Sequence, residues 1–497
     1  MFSRATRDGF LAGLVAGLAM LAAMYLASGI VGNHPLPGLL QQPLLQAMPG
    51  PVFGFLIDNL KHAGKVVEEF GLIVAMLVGL GALGALYGRL SERGLPHLGL
   101  LVGALGWAVV SVILLPLSGD GFFGLDEGLT TPLVWGLLFV IYATVLEIAF
   151  RRRQPPEPAD PGRRRAIAVI PLGIAAASLG VLGLRLIPGW AQAIAAPPES
   201  GLSGVSPDIT PVENFYVVSK NFADPVVSSK GWTLNVHGLV DNPLKLSYQD
   251  LVGLPPTTEI VTLECISNVV GGEQISTGSF TGASLRDIIT MAQPRSGARS
   301  LNFRARDGYT ETVPLSQVMA SPEILLAYQL GGHQLPDLHG FPARILIPGH
   351  YGMKGPKWLD DVEVAASAAG GYWEGQGWNP DAAVRTTSRF DRPHQGDVLR
   401  LGAIQLAGIA FAGKRGISAV DWSSDGGRTW HPADLKPPAS PLSWTLWTAS
   451  WTPTDESAYV LLVRATDGSG QAQTSEVTSS YPNGSGGFHK VQVSVAR

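Results

Sequence analysis

The chain has 497 residues, of which 46% are hydrophobic, and a formal net charge of −4, so it is too long for one ordinary core and we expect no nucleic-acid partner. Its one cysteine, Cys265, excludes an internal disulfide bond and a four-cysteine metal cage. Hydrophobic residues are concentrated in the first third of the chain, and we therefore expect about three domains of different character.

Long apolar segments occupy residues 1–190, and each is about long enough to cross the hydrocarbon core of a membrane. The five segments are 10–31, 70–90, 98–117, 132–150 and 166–187. Soluble helices rarely lack charged residues over such lengths, so we predict a region of five transmembrane α-helices rather than buried core helices. No predicted span has a histidine in its interior, which predicts an anchor without a b-type haem.

Arginines cluster in alternate loops between these segments. Arg4 and Arg7 precede the first segment, Arg89 and Arg93 follow the second, and a basic cluster lies within 151–165. Because positively charged flanks are retained in the cytoplasm, we predict a cytoplasmic N-terminus. After five crossings, the rest of the chain is then predicted to lie on the periplasmic or extracellular side.

The fifth segment carries a second signal. Arg163-Arg164-Arg165, the apolar run behind it and the alanine-rich residues 191–196 together resemble a twin-arginine export signal inside the chain. An ordinary membrane span with a positive flank explains the same residues, and both interpretations stay open. Residues 191–205 are rich in Pro, Gly, Ser and Ala and are predicted to form a linker.

Two domains are predicted after the linker. Residues 206–392 mix short β-like runs with helical patches, which is typical of an α+β domain. Residues 393–497 show strands and turns only. Asp425-Gly426-Gly427 forms a tight turn between two β-like runs, and residues 491–495 alternate valine with polar residues. This pattern predicts an immunoglobulin-like β-sandwich, with packing or dimerisation as its role.

The candidate chemistry lies in the α+β domain. Cys265 stands in Leu-Glu-Cys-Ile-Ser-Asn, directly after the strand-like run 260–263. By itself, this thiol is compatible with a buried filler residue, a nucleophile or a single soft metal ligand. Three further patches are Leu-Leu-Ala-Tyr at 325–328, His-Gly-Phe-Pro-Ala-Arg at 339–344 and Lys-Gly-Pro-Lys-Trp at 354–358. Their histidine, arginine and lysines form a set of donors suited to a phosphate group.

In this order, and followed by Ser-Asp-Gly-Gly-Arg-Thr-Trp at 424–430, these motifs resemble the sulfite oxidase family of molybdopterin enzymes. The resemblance runs from about residue 209 to the C-terminus and does not include the membrane region. It implies a molybdenum–molybdopterin cofactor in the form without a nucleotide. Cys265 matches the single protein ligand of the metal, for which a soft thiolate is suited.

The resemblance also implies roles for other residues. His339, Arg344 and Lys357 match contacts to the pterin and its terminal phosphate. Gly355 is implied to shape the turn before Lys357. Tyr216 matches a region that lines the pterin, and Tyr328 matches the tyrosine beside the reacting oxygen, where a phenol can donate a hydrogen bond.

The sequence departs from that family at the places expected to hold an anionic substrate. Sulfite oxidases carry basic residues shortly after the cysteine and after the aromatic pair near the start of the domain. Here, Val269-Val270 and Val218-Ser219 occupy these places, with Lys220 and Lys354 the nearby cations. Since an anion would lose much of its charge-assisted binding, we do not expect sulfite to be the substrate.

The leading prediction is a membrane-anchored molybdopterin-dependent oxidoreductase that transfers an oxygen atom to or from a small molecule or an oxidised protein side chain on the extracytoplasmic side. A reductase of oxidised methionine and a sulfite oxidase are alternatives within this class. A non-catalytic membrane receptor or adhesion protein is the alternative from another class, but it does not account for the cysteine and its phosphate donors. The expected partners are a quinone-linked or cytochrome redox protein and a second copy of the chain.

Overall fold

The computed structural model describes residues 3–31, 63–93, 97–118, 121–127, 129–151, 176–183, 204–221 and 224–497, with a few single positions between 35 and 52. These residues divide into a helical unit and a β-rich unit that begins near residue 196. The linker 191–205 and the signal-like residues at 163–165 and 191–196 lie largely or wholly outside the described residues.

The helical unit contains α1 (Arg4–Val31), α2 (Ala63–Ser91), α3 (Leu98–Val109) and α4 (Thr130–Arg151). α3 continues through a π-helical segment, Val110–Leu114, into a last helical turn, Leu115–Ser118. Within the described residues, these four helices are long and apolar enough to cross a membrane. The fifth predicted span, 166–187, lies outside the described residues except for 176–183, which are helical, so a five-helix region is not confirmed.

Small residues let the first two helices pack closely. A Cβ atom on Gly9 would lie 2.3 Å from the carbonyl oxygen of Gly84, and one on Gly84 would lie 2.4 Å from the carbonyl oxygen of Gly9. Larger side chains would collide with the facing backbone, and close approach through small residues is how helices associate in an apolar solvent. The hydroxyl group of Tyr142 donates to the carbonyl oxygen of Leu80 and joins α4 to α2.

The first part of the β-rich unit is built from ten strands and three short helices. The strands are β1 (Thr233–Gly238), β2 (Leu244–Ser247), β3 (Pro256–Glu264), β4 (Ile275–Ser284), β5 (Ser300–Ala305), β6 (Thr310–Pro314), β7 (Leu325–Leu330), β8 (His333–Gln334), β9 (Arg344–Leu346) and β10 (Leu359–Ala365). The helices are α5 (Tyr248–Gly253), α6 (Leu285–Ala292) and α7 (Leu315–Ala320). Ser247 and Asp250 form a capping box that fixes the start of α5.

These strands form two sheets. One has the order β2-β1-β10-β5-β6, with β1 and β10 parallel, and the other has the order β3-β4-β7-β8, with β9 paired to β7. Leucine, valine and isoleucine side chains from the first sheet and from α6 share one buried core. The mixture of strands and short helices agrees with the predicted α+β character.

The last part of the chain contains strands only, apart from one short helical turn. They are β11 (Thr387–Arg392), β12 (Val398–Arg400), β13 (Ile404–Phe411), β14 (Ile417–Ser423), β15 (His431–Pro432), β16 (Asp434–Leu435), β17 (Thr445–Trp451), β18 (Ala458–Asp467) and β19 (His489–Ala496). Two sheets, β11-β13-β17-β16 and β12-β19-β18-β14-β15, enclose a core that includes Trp422, Trp447 and Trp451. Alternating burial along β19 matches the predicted valine pattern.

Candidate active site

Cys265 lies at the end of β3, in the loop that returns to β4. Its backbone N–H donates to the carbonyl oxygen of Gln274 across 2.9 Å, and its own carbonyl oxygen accepts from the N–H of Asn268, also at 2.9 Å. The Asn268 side chain closes the loop by accepting from the N–H of Gln274 at 3.1 Å. These bonds hold the thiol in a fixed position, and its Sγ atom lies 3.1 Å from the hydroxyl oxygen of Ser267.

A buried carboxyl group and two tyrosines surround this loop. Glu264 accepts a hydrogen bond from Asn268, and burial raises its pKa to about 7, although that bond and the charge of Arg389 act in the opposite direction. Burial also raises the pKa of Tyr216 and of Tyr351, and the nearby Cys265 adds to both shifts. Both phenols therefore keep their protons at neutral pH and remain hydrogen-bond donors.

Tyr216 enters the site from the chain segment before β1. Its N–H donates to the hydroxyl oxygen of Ser276 at 3.1 Å, and its ring stacks on Phe215. A Cβ atom on Gly352 would lie 3.0 Å from the Tyr216 hydroxyl oxygen, so the turn at Gly352 passes directly over that oxygen. The prediction that Tyr216 belongs to this region agrees with its position.

His339 and Arg344 form a buried pair of basic residues beside Phe215. The His339 ring packs edge-on against Phe215, with ring centroids 5.4 Å apart, and the side chains of His339 and Arg344 are both over nine-tenths buried. Burial, with the charges of Arg344 and Lys357, lowers the pKa of His339 to about 3. Burial also lowers the pKa of Arg344 to about 10. His339 is therefore neutral at neutral pH, and Arg344 keeps its charge at a cost in desolvation.

Lys357 and Gly355 lie next to this pair. The ammonium group of Lys357 donates to the carbonyl oxygen of Leu338 at 3.0 Å and lies 4.3 Å from the ring centroid of Trp358. A Cβ atom on Gly355 would lie 2.5 Å from the carbonyl oxygen of Ile345, so only glycine fits against β9. The structure thus brings His339, Arg344 and Lys357 together, with Gly355 shaping the approach.

Lys354 does not belong to this set of phosphate donors. Its ammonium group is 2.5 Å from a carboxyl oxygen of Glu311 and 2.8 Å from one of Glu374, and it is buried. Lys220 is similarly engaged, because it donates to the carbonyl oxygen of Asp307 at 2.8 Å. The two cations that the sequence placed near the substrate are therefore held by protein carboxylates and carbonyls.

The structure does not bring Tyr328 to Cys265. Glu264 pairs with Ile275 at one end of β4, whereas Tyr328 on β7 lies beside the bulge at Thr281. Six residues of extended strand separate these two positions on β4, or roughly 20 Å. The Tyr328 side chain is buried in the core of the first sheet, and the strand bulge that sets its position is not readable from the sequence.

Tyr351 and Glu264 are site residues that the sequence reasoning missed. Tyr351 lies two residues after Gly349, whose φ of 86° produces a turn. The hydroxyl oxygen of Tyr351 accepts a hydrogen bond from the N–H of Arg385 at 3.3 Å. The glycine-flanked Gly-His-Tyr-Gly run between two of the quoted motifs was the available signal. Glu264 stood inside the Cys265 motif, but its burial depends on the fold.

These residues fit a cofactor that combines a phosphate with a soft metal. The Nε atom of Arg344 is buried and has no hydrogen-bond partner within the part of the chain that the structure describes. A buried guanidinium in this state is stabilised by an anion that arrives from outside, and a phosphate accepts its forked donors. Both the Cys265 thiol and Arg344 lie close enough to Tyr216 to shift its pKa, the thiol upward and the guanidinium downward. No group of three or more histidine, cysteine or carboxylate ligands occurs among the described residues, so the metal would depend on the cofactor for its other ligands.

Comparison with known proteins gives the same assignment. Residues 221–373 match the oxidoreductase molybdopterin binding domain, and residues 382–495 match the Mo-co oxidoreductase dimerisation domain. The chain is 30% identical to sulfite oxidase from Arabidopsis thaliana over 285 residues, which are 48% of this chain and 72% of that protein. It is 29% identical to mitochondrial sulfite oxidase from Mus musculus over 280 residues, 47% of this chain and about half (51%) of that protein.

A solved structure shares the fold. The sulfane dehydrogenase SoxCD from Paracoccus pantotrophus matches with a TM-score of 0.51 and 22% identity, over 61% of this chain and 89% of that one. At this level of identity, the match concerns the fold of the two β-rich domains alone. The matched families imply a molybdenum cofactor, for which the cationic pocket and Cys265 are suited.

Proposed function

This chain belongs to the sulfite oxidase family of molybdopterin oxidoreductases, and from that premise we propose that Cys265 binds molybdenum while His339, Arg344 and Lys357 hold the pterin and its phosphate. The observation that carries this proposal is the buried Arg344 guanidinium beside His339, whose Nε atom has no hydrogen-bond partner among the described residues. When bound, the cofactor supplies the two-electron chemistry of oxygen-atom transfer. The protein contributes orientation, proton donors and exclusion of water.

The tyrosines near Cys265 are the proposed proton donors. Tyr216 and Tyr351 keep their hydroxyl protons because burial and the neighbouring Cys265 raise their pKa values. A fixed O–H group beside the reacting atoms stabilises negative charge that develops on a substrate oxygen. We assign this role to Tyr216 first, because its hydroxyl group lies under the Gly352 turn, and no longer to Tyr328.

We propose an uncharged sulfoxide or thioether as the substrate class, with oxidised methionine as the first candidate. Lys220 and Lys354 are engaged with acidic residues or backbone carbonyls, and Arg385 donates to the carbonyl oxygen of Gly484 at 2.9 Å. Valines 269 and 270 follow the cysteine. An anion would gain few new ion pairs here, whereas a neutral substrate needs none.

Sulfite oxidation is the second candidate, and the similarity to two sulfite oxidases favours it. A pair of assays on the purified full chain separates the two. Reduced viologen with methionine sulfoxide tests reduction, and ferricyanide with sulfite tests oxidation. Turnover of the sulfoxide that is abolished by Cys265→Ser supports the first proposal; turnover of sulfite alone contradicts it. Absence of both activities in protein with full molybdenum content contradicts both.

We further propose that α1 to α4 and the fifth apolar segment anchor the enzyme in a membrane, with the catalytic domain on the periplasmic or extracellular side. The length and composition of the four helices support anchoring, and the arginine distribution in the loops supports the orientation. Twin-arginine export of the outer part belongs to the same proposal. Protease treatment of intact spheroplasts tests it, because only an outward-facing catalytic domain is digested.

The domain division is also a proposal. The membrane region ends near residue 190, a linker extends to 205, and the molybdopterin domain begins at 206. The strand Thr387–Arg392 pairs with Ile404–Phe411, so we place the start of the sandwich before Thr387 rather than at residue 393. We propose that the two sheets form an immunoglobulin-like sandwich and, from the match to a dimerisation domain, that it joins two copies of the chain. We also propose that a separate quinone-linked or cytochrome protein exchanges electrons with the molybdenum cofactor.

A further inference from the structure

The helical unit contains three buried hydrogen-bond donors that have no hydrogen-bond partner among the residues that the structure describes. They are the indole nitrogens of Trp107 and Trp135 and the hydroxyl group of Ser111. Ser111 and Trp135 are fully buried. Because an unpaired donor in an apolar surrounding is costly, three of them in one region point to an acceptor beyond the residues that the structure describes.

The three donors lie in one layer of the helix bundle. α3 and α4 are antiparallel, and a Cβ atom on Gly106 would lie 2.4 Å from the ring of Phe139. Following this register for four residues along each helix brings Val110 to the level of Trp135, so Ser111 lies about one residue beyond that level. Trp107 is four residues before Ser111 on the same helix, which places both on one face. The indole nitrogen of Trp107 reaches α4, because a Cβ atom on Gly136, the neighbour of Trp135, would lie 3.9 Å from it.

The backbone at this layer is irregular. Ser111 belongs to the π-helical segment Val110–Leu114, which interrupts an otherwise α-helical span. Single π-helical turns rotate the following side chains, and they occur often at functional sites. Phe123, in the loop after this span, packs its ring 5.5 Å from that of Trp107. Phe122 and Leu129 in the same loop region are exposed and form an apolar rim.

A carboxyl group lies in the next layer. α2 and α4 are parallel, because Tyr142 contacts Leu80 and Phe150 packs on Tyr87 seven to eight residues later. Following this register in the other direction brings Trp135 to the level of residue 73 on α2. Glu69 lies four residues beyond that level, roughly 6 Å along the helix axis.

Glu69 is buried, and its partner is Tyr25, whose hydroxyl group donates to it. Ionisable groups that are buried inside membrane spans are rare and usually functional. The helix bundle thus combines three neutral donors with a carboxyl group one turn away.

We propose that this layer binds the head group of a membrane quinone, with its carbonyl oxygens accepting hydrogen bonds from Trp107, Ser111 and Trp135. Uncharged N–H and O–H groups can donate hydrogen bonds to a neutral carbonyl oxygen, whereas a phosphate would need cationic donors. The indole rings can also pack against the flat quinone ring. Glu69 can accept from the hydroxyl group of the reduced form. The inference rests on the proposed membrane anchoring, and it assigns these helices a binding site instead of a purely passive role.

The test uses the full chain in lipid nanodiscs from a host that makes no quinone. Decylubiquinone is titrated while tryptophan fluorescence is recorded, and decylbenzene, which has no carbonyl group, is titrated in parallel. We expect saturable quenching by the quinone only. Ser111→Ala and Trp135→Phe should each weaken binding about fivefold, the effect of one lost hydrogen bond. Thr144→Ala, which removes a hydroxyl that bonds within α4, is the matched control and should leave binding unchanged.

Several outcomes overturn the inference. Equal quenching by decylbenzene, or quinone binding that both variants leave intact, means that the donors do not hold a quinone. The nanodiscs are also made with ether lipids, which lack ester carbonyl groups. If the quinone binds only in these discs, a lipid carbonyl group occupies the three donors in ester lipids. Ser111→Ala serves as the second variant if Trp135→Phe does not fold. Dye-coupled turnover is measured in the same samples: if it persists without quinone binding, only this inference fails, and if it is absent, the proposed function fails.

Discussion

The guanidinium group of Arg344 donates to the carbonyl oxygen of His339 across 3.4 Å, while its Nε atom has no hydrogen-bond partner in the described part of the chain. Both side chains are buried, and burial lowers the pKa of each. Burial therefore opposes positive charge on both side chains, and an added anion should relieve this cost.

Replacing Arg344 by methionine should weaken cofactor retention and spare the fold. Molybdenum content per chain after dialysis should fall about 10- to 100-fold, because hydrogen bonds to charged groups contribute roughly 1.5–3 kcal/mol. The free energy of unfolding of cofactor-free protein should be unchanged or about 1 kcal/mol higher, since an unpaired buried charge is removed. Arg295→Met, at an exposed arginine that pairs with Asp241, is the control and should retain molybdenum. A large loss of stability in cofactor-free Arg344→Met would contradict this account.

His339 should report on the bound phosphate by its titration. In cofactor-free protein its pKa is about 3, below the ordinary value of 6.5. Between these values the unfolded chain binds a proton that the folded protein does not, so stability falls as the pH drops from 6.5 to 3. A phosphate anion would raise the pKa of His339 and shrink this loss. Histidine NMR of both forms, with His339→Asn for assignment, measures the shift; equal pKa values would refute the phosphate contact.

Tyr216 and Tyr328 should differ sharply in their effect on turnover. Tyr216→Phe removes a hydroxyl near Cys265 and should lower kcat per molybdenum on the order of 100-fold, as for a lost oxyanion donor. Tyr328→Phe alters a side chain in the core of the first sheet and should stay within about twofold. Steady-state kinetics normalised to metal content measures both. The reverse order of effects would restore Tyr328 as the donor and remove Tyr216.

Glu311 should make stability fall as the pH rises. Burial raises its pKa from 4.5 to about 7, although Lys354 opposes this. Between pH 4.5 and 7 the folded protein holds a proton that the unfolded chain has released, so the contribution is complete below 4.5 and is lost as the pH rises through 7. Glu311→Gln should remove this decline, which is roughly 3 kcal/mol.

Glu374→Gln gives the matched comparison, because hydrogen bonds from Lys354 and Gly371 lower the pKa of Glu374 despite its partial burial. Its contribution is present above pH 4.5 and is lost as the pH falls below that value, so this variant should change only the acid side of the profile. Tm measured from pH 3 to 8 separates the two carboxylates. Identical profiles for both variants would contradict the assignment.

The sequence predicted the parts of the site that lie within short motifs. Cys265 and the His339–Arg344 pair could be proposed from the sequence because each motif keeps its residues on one loop or turn, and their roles stay predictions. The partners of Lys354 are 43 and 20 residues away, so its ion pairs depend on the folded arrangement of β6 and the loop after β10. The position of Tyr328 relative to Cys265 depends on the register between β4 and β7, and one bulge in the β4–β7 pairing sets that register. Four of the five predicted spans fall largely within the described residues and are helices there, because apolar length is a local property of the sequence.

The most direct test of the central claim is molybdenum X-ray absorption on wild-type protein and on Cys265→Ser, both produced in a host that makes the pterin. Wild-type protein should contain molybdenum whose coordination includes one more sulfur atom than in the variant. Equal sulfur coordination in the two proteins, or a wild-type chain without molybdenum, would contradict the assignment of Cys265 as the metal ligand.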